Sequence, residues 1–134
     1  AQIHPYFDAE KSLEERCVEL DGELTELPSP FTSVLLGMGE DGHFASMFPD
    51  ADNLQSSLDL QSPNAFVPVD TGSSPHRRLS MTLAALLRSD EILLLISGAE
   101  KRAVLEQAAE TTSVLPVGHL LRQLRTPVDV FWAP

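Results

Sequence analysis

One cysteine, Cys17, in 134 residues leaves no partner for an internal disulfide and fits a reducing compartment. Positive charge is scarce as well. Nine lysines and arginines stand against twenty aspartates and glutamates, a formal net charge of -11. A field of that sign disfavours a nucleic-acid backbone or an anionic membrane as the main partner. Much of the acid excess lies in AEKSLEERCVELDGELTE and reads as a solvated helix face. There is no long apolar run, secretory signal or lipidation signal, so the expectation is a soluble, cytoplasmic protein. Three chemical signatures are absent too. G-x-S-x-G does not surround Ser46, there is no GKS or GKT phosphate loop, and His4, His76 and His119 lack zinc-ligand spacing.

What remains is an ordinary globular composition, 43% hydrophobic, long enough for one domain with a real core. Leu13, Cys17, Leu20 and Leu24 recur at spacings of three and four, so Asp8 to Leu24 reads as an amphipathic helix with Asp8 as its N-cap. Phe31 to Leu36 reads as a buried strand ending at glycine, and Ala45 to Ser57 as loop or short helix. Ala65 to Val69 and Arg78 to Thr82 are further strands around the loop TGSSPHRR, the second leading into a helix through Leu87. Glu91 to Ser97, EILLLIS, is a continuous aliphatic run suited to the middle of a parallel sheet. Helices follow over Ala99 to Glu110 and Pro116 to Leu124, then a strand over Val128 to Trp132. The alternation predicts a single α/β domain over residues 1–134, its sheet mostly parallel and flanked by helices. Ligands of such folds sit beyond the carboxyl ends of the strands. Two turns stand there: Gly37 to His43, and Gly98 to Lys101.

The first of these lies in LLGMGEDGHFASMFP. Gly37, Gly39 and Gly42 allow positive φ and close approach of a ligand, and successive N–H groups in such a turn can form an anion-binding concavity. Asp41 and His43, two residues apart, can meet in a tight turn, and a histidine held by a carboxylate is a natural general base near neutral pH. GMGEDG matches a dinucleotide fingerprint only loosely, since no complete βαβ unit with an acidic residue at the right distance follows. Arg78 heads a strand after a flexible loop. Lys101 lies in the first turn of a helix, where it opposes the helix dipole unless an anion offsets it.

Five blocks in order, LLGMGEDGHFASMFPD, PHRRLSMT, LLLISGAEKRAVLEQA, LPVGHLL and VDVFW, make the chain resemble the 6-phosphogluconolactonase family from Phe31 to Trp132. The resemblance implies an incomplete fold of the glucosamine-6-phosphate deaminase, ribose-5-phosphate isomerase and CoA transferase-like type. It also implies hydrolysis of 6-phospho-D-glucono-1,5-lactone to 6-phosphogluconate in the oxidative pentose phosphate pathway, with no metal or organic cofactor. His43 would be the base that activates water and Asp41 its orienter. Gly39 and Gly42 would give the substrate room, and Arg78 and Lys101 would help hold its phosphate. Arg77 competes with Arg78 for that role, and the distance from Pro75 favours Arg78. The family's N-terminal strand and Ser/Thr phosphate loop have no counterpart here. The chain is therefore expected to be the C-terminal part of a longer lactonase domain, weakly active alone and able to associate with the missing half. Two other readings stand beside this one: an isomerising deaminase of an amino-sugar phosphate, and a non-catalytic sugar-phosphate sensor.

Overall fold

A computed structural model describes residues 2–134. The first helix, α1 (Leu13–Thr25), starts at Ser12 rather than Asp8. The Ser12 hydroxyl accepts from the Glu15 N–H at 3.2 Å while the Glu15 carboxylate accepts from the Ser12 N–H at 2.9 Å. This reciprocal box satisfies two end groups at once. Asp8 instead accepts from the Glu10 N–H in a separate turn. The inner face of α1 buries Cys17 and Leu20, and the Arg16 guanidinium is held by Glu19, Glu23 and the Pro5 carbonyl.

The remaining elements are β1 (Val34–Gly37), α2 (Leu54–Leu58), β2 (Phe66–Val69), β3 (Arg78–Met81), α3 (Leu83–Leu86), β4 (Ile92–Ser97), α4 (Ala99–Ala108), α5 (Pro116–Arg122) and β5 (Val128–Ala133). Strands β1, β4 and β5 form a parallel sheet in the order β1-β4-β5. Val34 pairs with Ile92 on one side of β4, and Val128 pairs with Ile92 on the other. The aliphatic run is thus the central strand, paired on both edges. Strands β2 and β3 do not join this sheet and pair antiparallel with each other. Pro68 lacks a ladder donor, which suits β2 to a two-stranded ribbon better than to a sheet interior.

The sheet has two unlike faces. Ile92 and Leu94 are fully buried on one, in the same cluster as Phe44, Met47, Leu83, Val117 and Leu120. Alternation sends Leu35, Leu95 and Phe131 to the other, and these are 66%, 47% and 56% exposed. Parallel sheets are ordinarily covered on both faces. Among the described residues, no helix is long and apolar enough to cross a membrane.

Candidate active site

The opening turn sits where β1 ends. Met38 is buried and bridges antiparallel to Phe44, so the chain doubles back over five residues. Within the loop the Gly39 N–H donates to the His43 carbonyl at 2.9 Å and the Gly42 N–H to the Gly39 carbonyl at 3.1 Å. The Val117 N–H then donates to the Gly42 carbonyl, anchoring the turn to the start of α5. These internal bonds differ from the expected anion-binding concavity. The N–H groups of Gly39, Gly42 and His43 are already paired inside the turn.

The glycines have separate causes. Only Gly42 has positive φ in this turn, at 79°, and a Cβ there would lie 3.2 Å from Leu115. Gly39 is needed for space. A Cβ on it would fall 2.2 Å from His43 Cε1, 2.3 Å from Nδ1 and 2.7 Å from Asp41 Oδ1. The backbone of Gly39 therefore forms one wall of the histidine's slot. Ala45 follows with φ 49°, a left-handed conformation that costs a non-glycine residue about 1–2 kcal/mol.

Asp41 and His43 meet as their spacing suggests. Asp41 Oδ1 accepts from the His43 backbone N–H at 3.1 Å and lies 2.6 Å from Nδ1. A carboxylate only accepts, so it selects the tautomer with hydrogen on Nδ1 and leaves Nε2 a lone pair. Among the described residues Nε2 has no hydrogen-bond partner, and the side chain is 29% exposed. The Phe48 ring stacks on the imidazole, with centroids 4.2 Å apart and planes at 29°.

The second turn lies on the same edge of the sheet. Gly98, at φ 88°, leads from β4 into α4, and its carbonyl accepts from Trp132 Nε1–H at 2.9 Å. Lys101 in the first turn of α4 lines a cleft of about 490 Å³ together with Gly37, Met38, Ser97 and Trp132. Lys101 and the residues that open the histidine turn thus share one cavity. Arg78 stands apart on the β2–β3 ribbon, exposed, its Nε donating to Ser74 Oγ at 2.9 Å. No hydrogen bond or ion pair among the described residues joins Arg78 or Lys101 to the Asp41–His43 pair. The ribbon touches the turn through Ser80, whose Oγ accepts from the Ser46 N–H at 3.1 Å.

Arg77 is fully engaged. It pairs with Asp70 at 2.7 Å and with Glu14 at 2.7 Å, and these bonds hold both carboxyls below their ordinary values. Burial pushes the Cys17 thiol up to about 11, which leaves it inert. Burial, with Arg122 adding to it, pushes His119 down.

Sequence reasoning misses Phe48, Ser80 and Leu115. Each acts through a contact made only when separate segments fold together, and no local spacing marks them. Phe48 alone carries a faint signal, an aromatic five residues from a suspected base.

Together these features define an α/β protein whose carboxylate-held histidine stands at the C-terminal edge of a parallel sheet. Residues 1–132 match the family described as "Glucosamine-6-phosphate isomerases/6-phosphogluconolactonase", and the chain belongs to that family. It is 38% identical to a 6-phosphogluconolactonase of Mesorhizobium japonicum over 134 residues, covering 100% of this chain and 56% of the relative. It is 45% identical to one of Caulobacter vibrioides over 107 residues, covering 78% of this chain and 45% of the relative. The crystal structure of a 6-phosphogluconolactonase from Shewanella baltica superposes with a TM-score of 0.83 at 36% identity, covering 90% of this chain and 52% of that one. The chain therefore spans about half the length of the relatives it matches.

Proposed function

We propose that the chain is the C-terminal part of a 6-phosphogluconolactonase domain, which hydrolyses 6-phospho-D-glucono-1,5-lactone to 6-phosphogluconate, with His43 as general base. The observation that carries this reading is the 2.6 Å contact between Asp41 and Nδ1, which leaves Nε2 free to take a proton. Nε2 removes a proton from water as the water oxygen attacks the lactone carbonyl carbon. The tetrahedral intermediate collapses, the bond to the ring oxygen breaks, and the imidazolium returns its proton to that oxygen. One water is consumed and His43 ends neutral. Asp41 keeps the ring oriented and favours the transient cation.

A lactone is an activated ester, so much of the remaining task is holding the substrate still. Lys101, in the cleft lined also by Gly37 and Met38, is one candidate anchor for the phosphate. Arg78 is the second. Its charge is uncommitted to any carboxylate among the described residues, whereas Arg77 is already neutralised by Asp70 and Glu14. Gly39 and Gly42 support the substrate indirectly in this account, by making the slot that the base occupies.

The site is completed by the rest of the domain, which seats on the open sheet face at Leu35, Leu95 and Phe131. A contiguous exposed apolar surface of this kind marks an interface. The discriminating experiment assays lactone hydrolysis against the spontaneous rate, beside ammonia release from glucosamine 6-phosphate. Hydrolysis lost on His43→Ala supports the lactonase. Ammonia release in its place would support the deaminase. Full lactonase activity from residues 1–134 alone would refute the need for the remaining half.

A further inference from the structure

We propose that Phe48 is a positioning residue for His43: its ring holds the imidazole in the plane where Nδ1 meets Asp41 and Nε2 keeps its lone pair toward open space. The purpose of that arrangement rests on the lactonase reading, but its geometry does not. Three groups surround the imidazole. Asp41 Oδ1 meets Nδ1 at 2.6 Å, the Gly39 backbone closes against the Cε1–Nδ1 side, and Phe48 covers a face at 4.2 Å. Asp41 decides which ring nitrogen carries hydrogen, but a single hydrogen bond on a side chain with two rotatable bonds does not fix the ring plane. The other staggered wells of His43 stay accessible unless something occupies them. The Phe48 ring, stacked on the imidazole at 4.2 Å, favours the observed well over the others by the energy of that stack.

Phe48 is itself rigidly placed, as such a platform requires. It is 7% exposed, and its carbonyl accepts from the Ala51 N–H at 3.1 Å. Two residues on, the Asp50 carboxylate accepts from the Thr71 hydroxyl and from the Ser73 N–H at 3.0 Å, tying this segment to the loop before β3. A side chain that merely filled core volume could be replaced by leucine with little consequence for the histidine. A platform could not, because only an aromatic ring offers a flat face at stacking distance.

The test is long-range proton–nitrogen NMR of His43 at about pH 8, where an ordinary imidazole is neutral, in a chimaera whose N-terminal part comes from the Mesorhizobium japonicum relative and precedes this chain. Wild type is expected to show Nδ1–H as the dominant tautomer, with ring-current shifts on Hδ2 or Hε1 from Phe48. Loss of an aromatic stack shifts a rotamer ratio by about two- to tenfold, and Phe48→Leu should lower the ratio of Nδ1–H to Nε2–H by that much. Phe48→Tyr should restore the wild-type ratio. A leucine variant indistinguishable from wild type overturns the proposal, and so does a tyrosine variant as perturbed as leucine. Where the leucine variant does not fold, the wild-type spectrum decides, since absence of the ring-current shifts overturns the stack directly. A leucine variant that loses the tautomer yet supports undiminished lactone hydrolysis would support the role of Phe48 and remove His43 from the chemistry.

Discussion

Replacing Gly39 with alanine tests how closely His43, the proposed base, is built into its turn. Gly39 does not have positive φ, so alanine meets no backbone strain there, and its effect isolates the added methyl. That methyl would start 2.2 Å from His43 Cε1 and 2.7 Å from Asp41 Oδ1, against an ordinary contact of at least 3.4 Å. The imidazole is a side chain and can move, whereas the Gly39 backbone is pinned through its bonds to His43 and Gly42. Restoring contact distance shifts the ring by about 1.2 Å, and a misplacement of about 1 Å costs on the order of 10²-fold in rate. The shift also breaks the 2.6 Å contact with Asp41. The assay is lactone hydrolysis above the spontaneous rate, in a chimaera where the N-terminal part of the Mesorhizobium japonicum relative precedes this chain. The thermal midpoint is measured beside it. The expected result is a loss of about 10²-fold or more in kcat with KM nearly unchanged, since Lys101 and Arg78, the proposed phosphate anchors, are untouched. A Gly39→Ala enzyme within a few-fold of wild type would refute the slot and the role it assigns to His43.

Other consequences follow from the same geometry. Arg78→Met and Lys101→Met should each raise KM in the lactone assay more than they lower kcat, while Arg77→Met should leave KM unchanged because its charge serves Asp70 and Glu14. Those two carboxyls are held below their ordinary values of 3.8 and 4.5, so their contribution to stability is complete above those values and is lost as pH falls through the lowered ones. Thermal melts of wild type and Arg77→Met should therefore differ at pH 7 and converge toward pH 2, and a constant difference would contradict the pairing. Ala45→Gly relieves a left-handed residue at about 1–2 kcal/mol and adds about 0.5–1 kcal/mol of chain entropy, so urea unfolding should show stability unchanged or slightly raised.

The sequence made the central strand legible because EILLLIS is apolar without interruption, and it occupies the middle of the sheet. The helix after Gly98 and the turn after Gly37 were equally visible, since glycine punctuates both. Less visible was the separation of β2 and β3 from the main sheet. Strand character is local, whereas the partner a strand chooses is decided by the whole fold. The cap of α1 went to Ser12 because two reciprocal hydrogen bonds outweigh the single one that Asp8 could provide. At the site, the spacing of Asp41 and His43 was enough to anticipate their contact, because a two-residue separation limits how far apart they can be. The reason for Gly39 was not anticipated, because it lies in the position of a ring that only the folded turn brings against it. Phe48 escaped for the same reason.

His43 is tested most directly by lactone hydrolysis in the chimaera with His43 intact and with His43→Ala. General-base assistance is worth about 10²–10⁴-fold, so the variant should lose that much in kcat while binding 6-phosphogluconate within a few-fold of wild type. A His43→Ala chimaera that hydrolyses the lactone as fast as wild type would contradict the central claim, that the Asp41-held imidazole is the base.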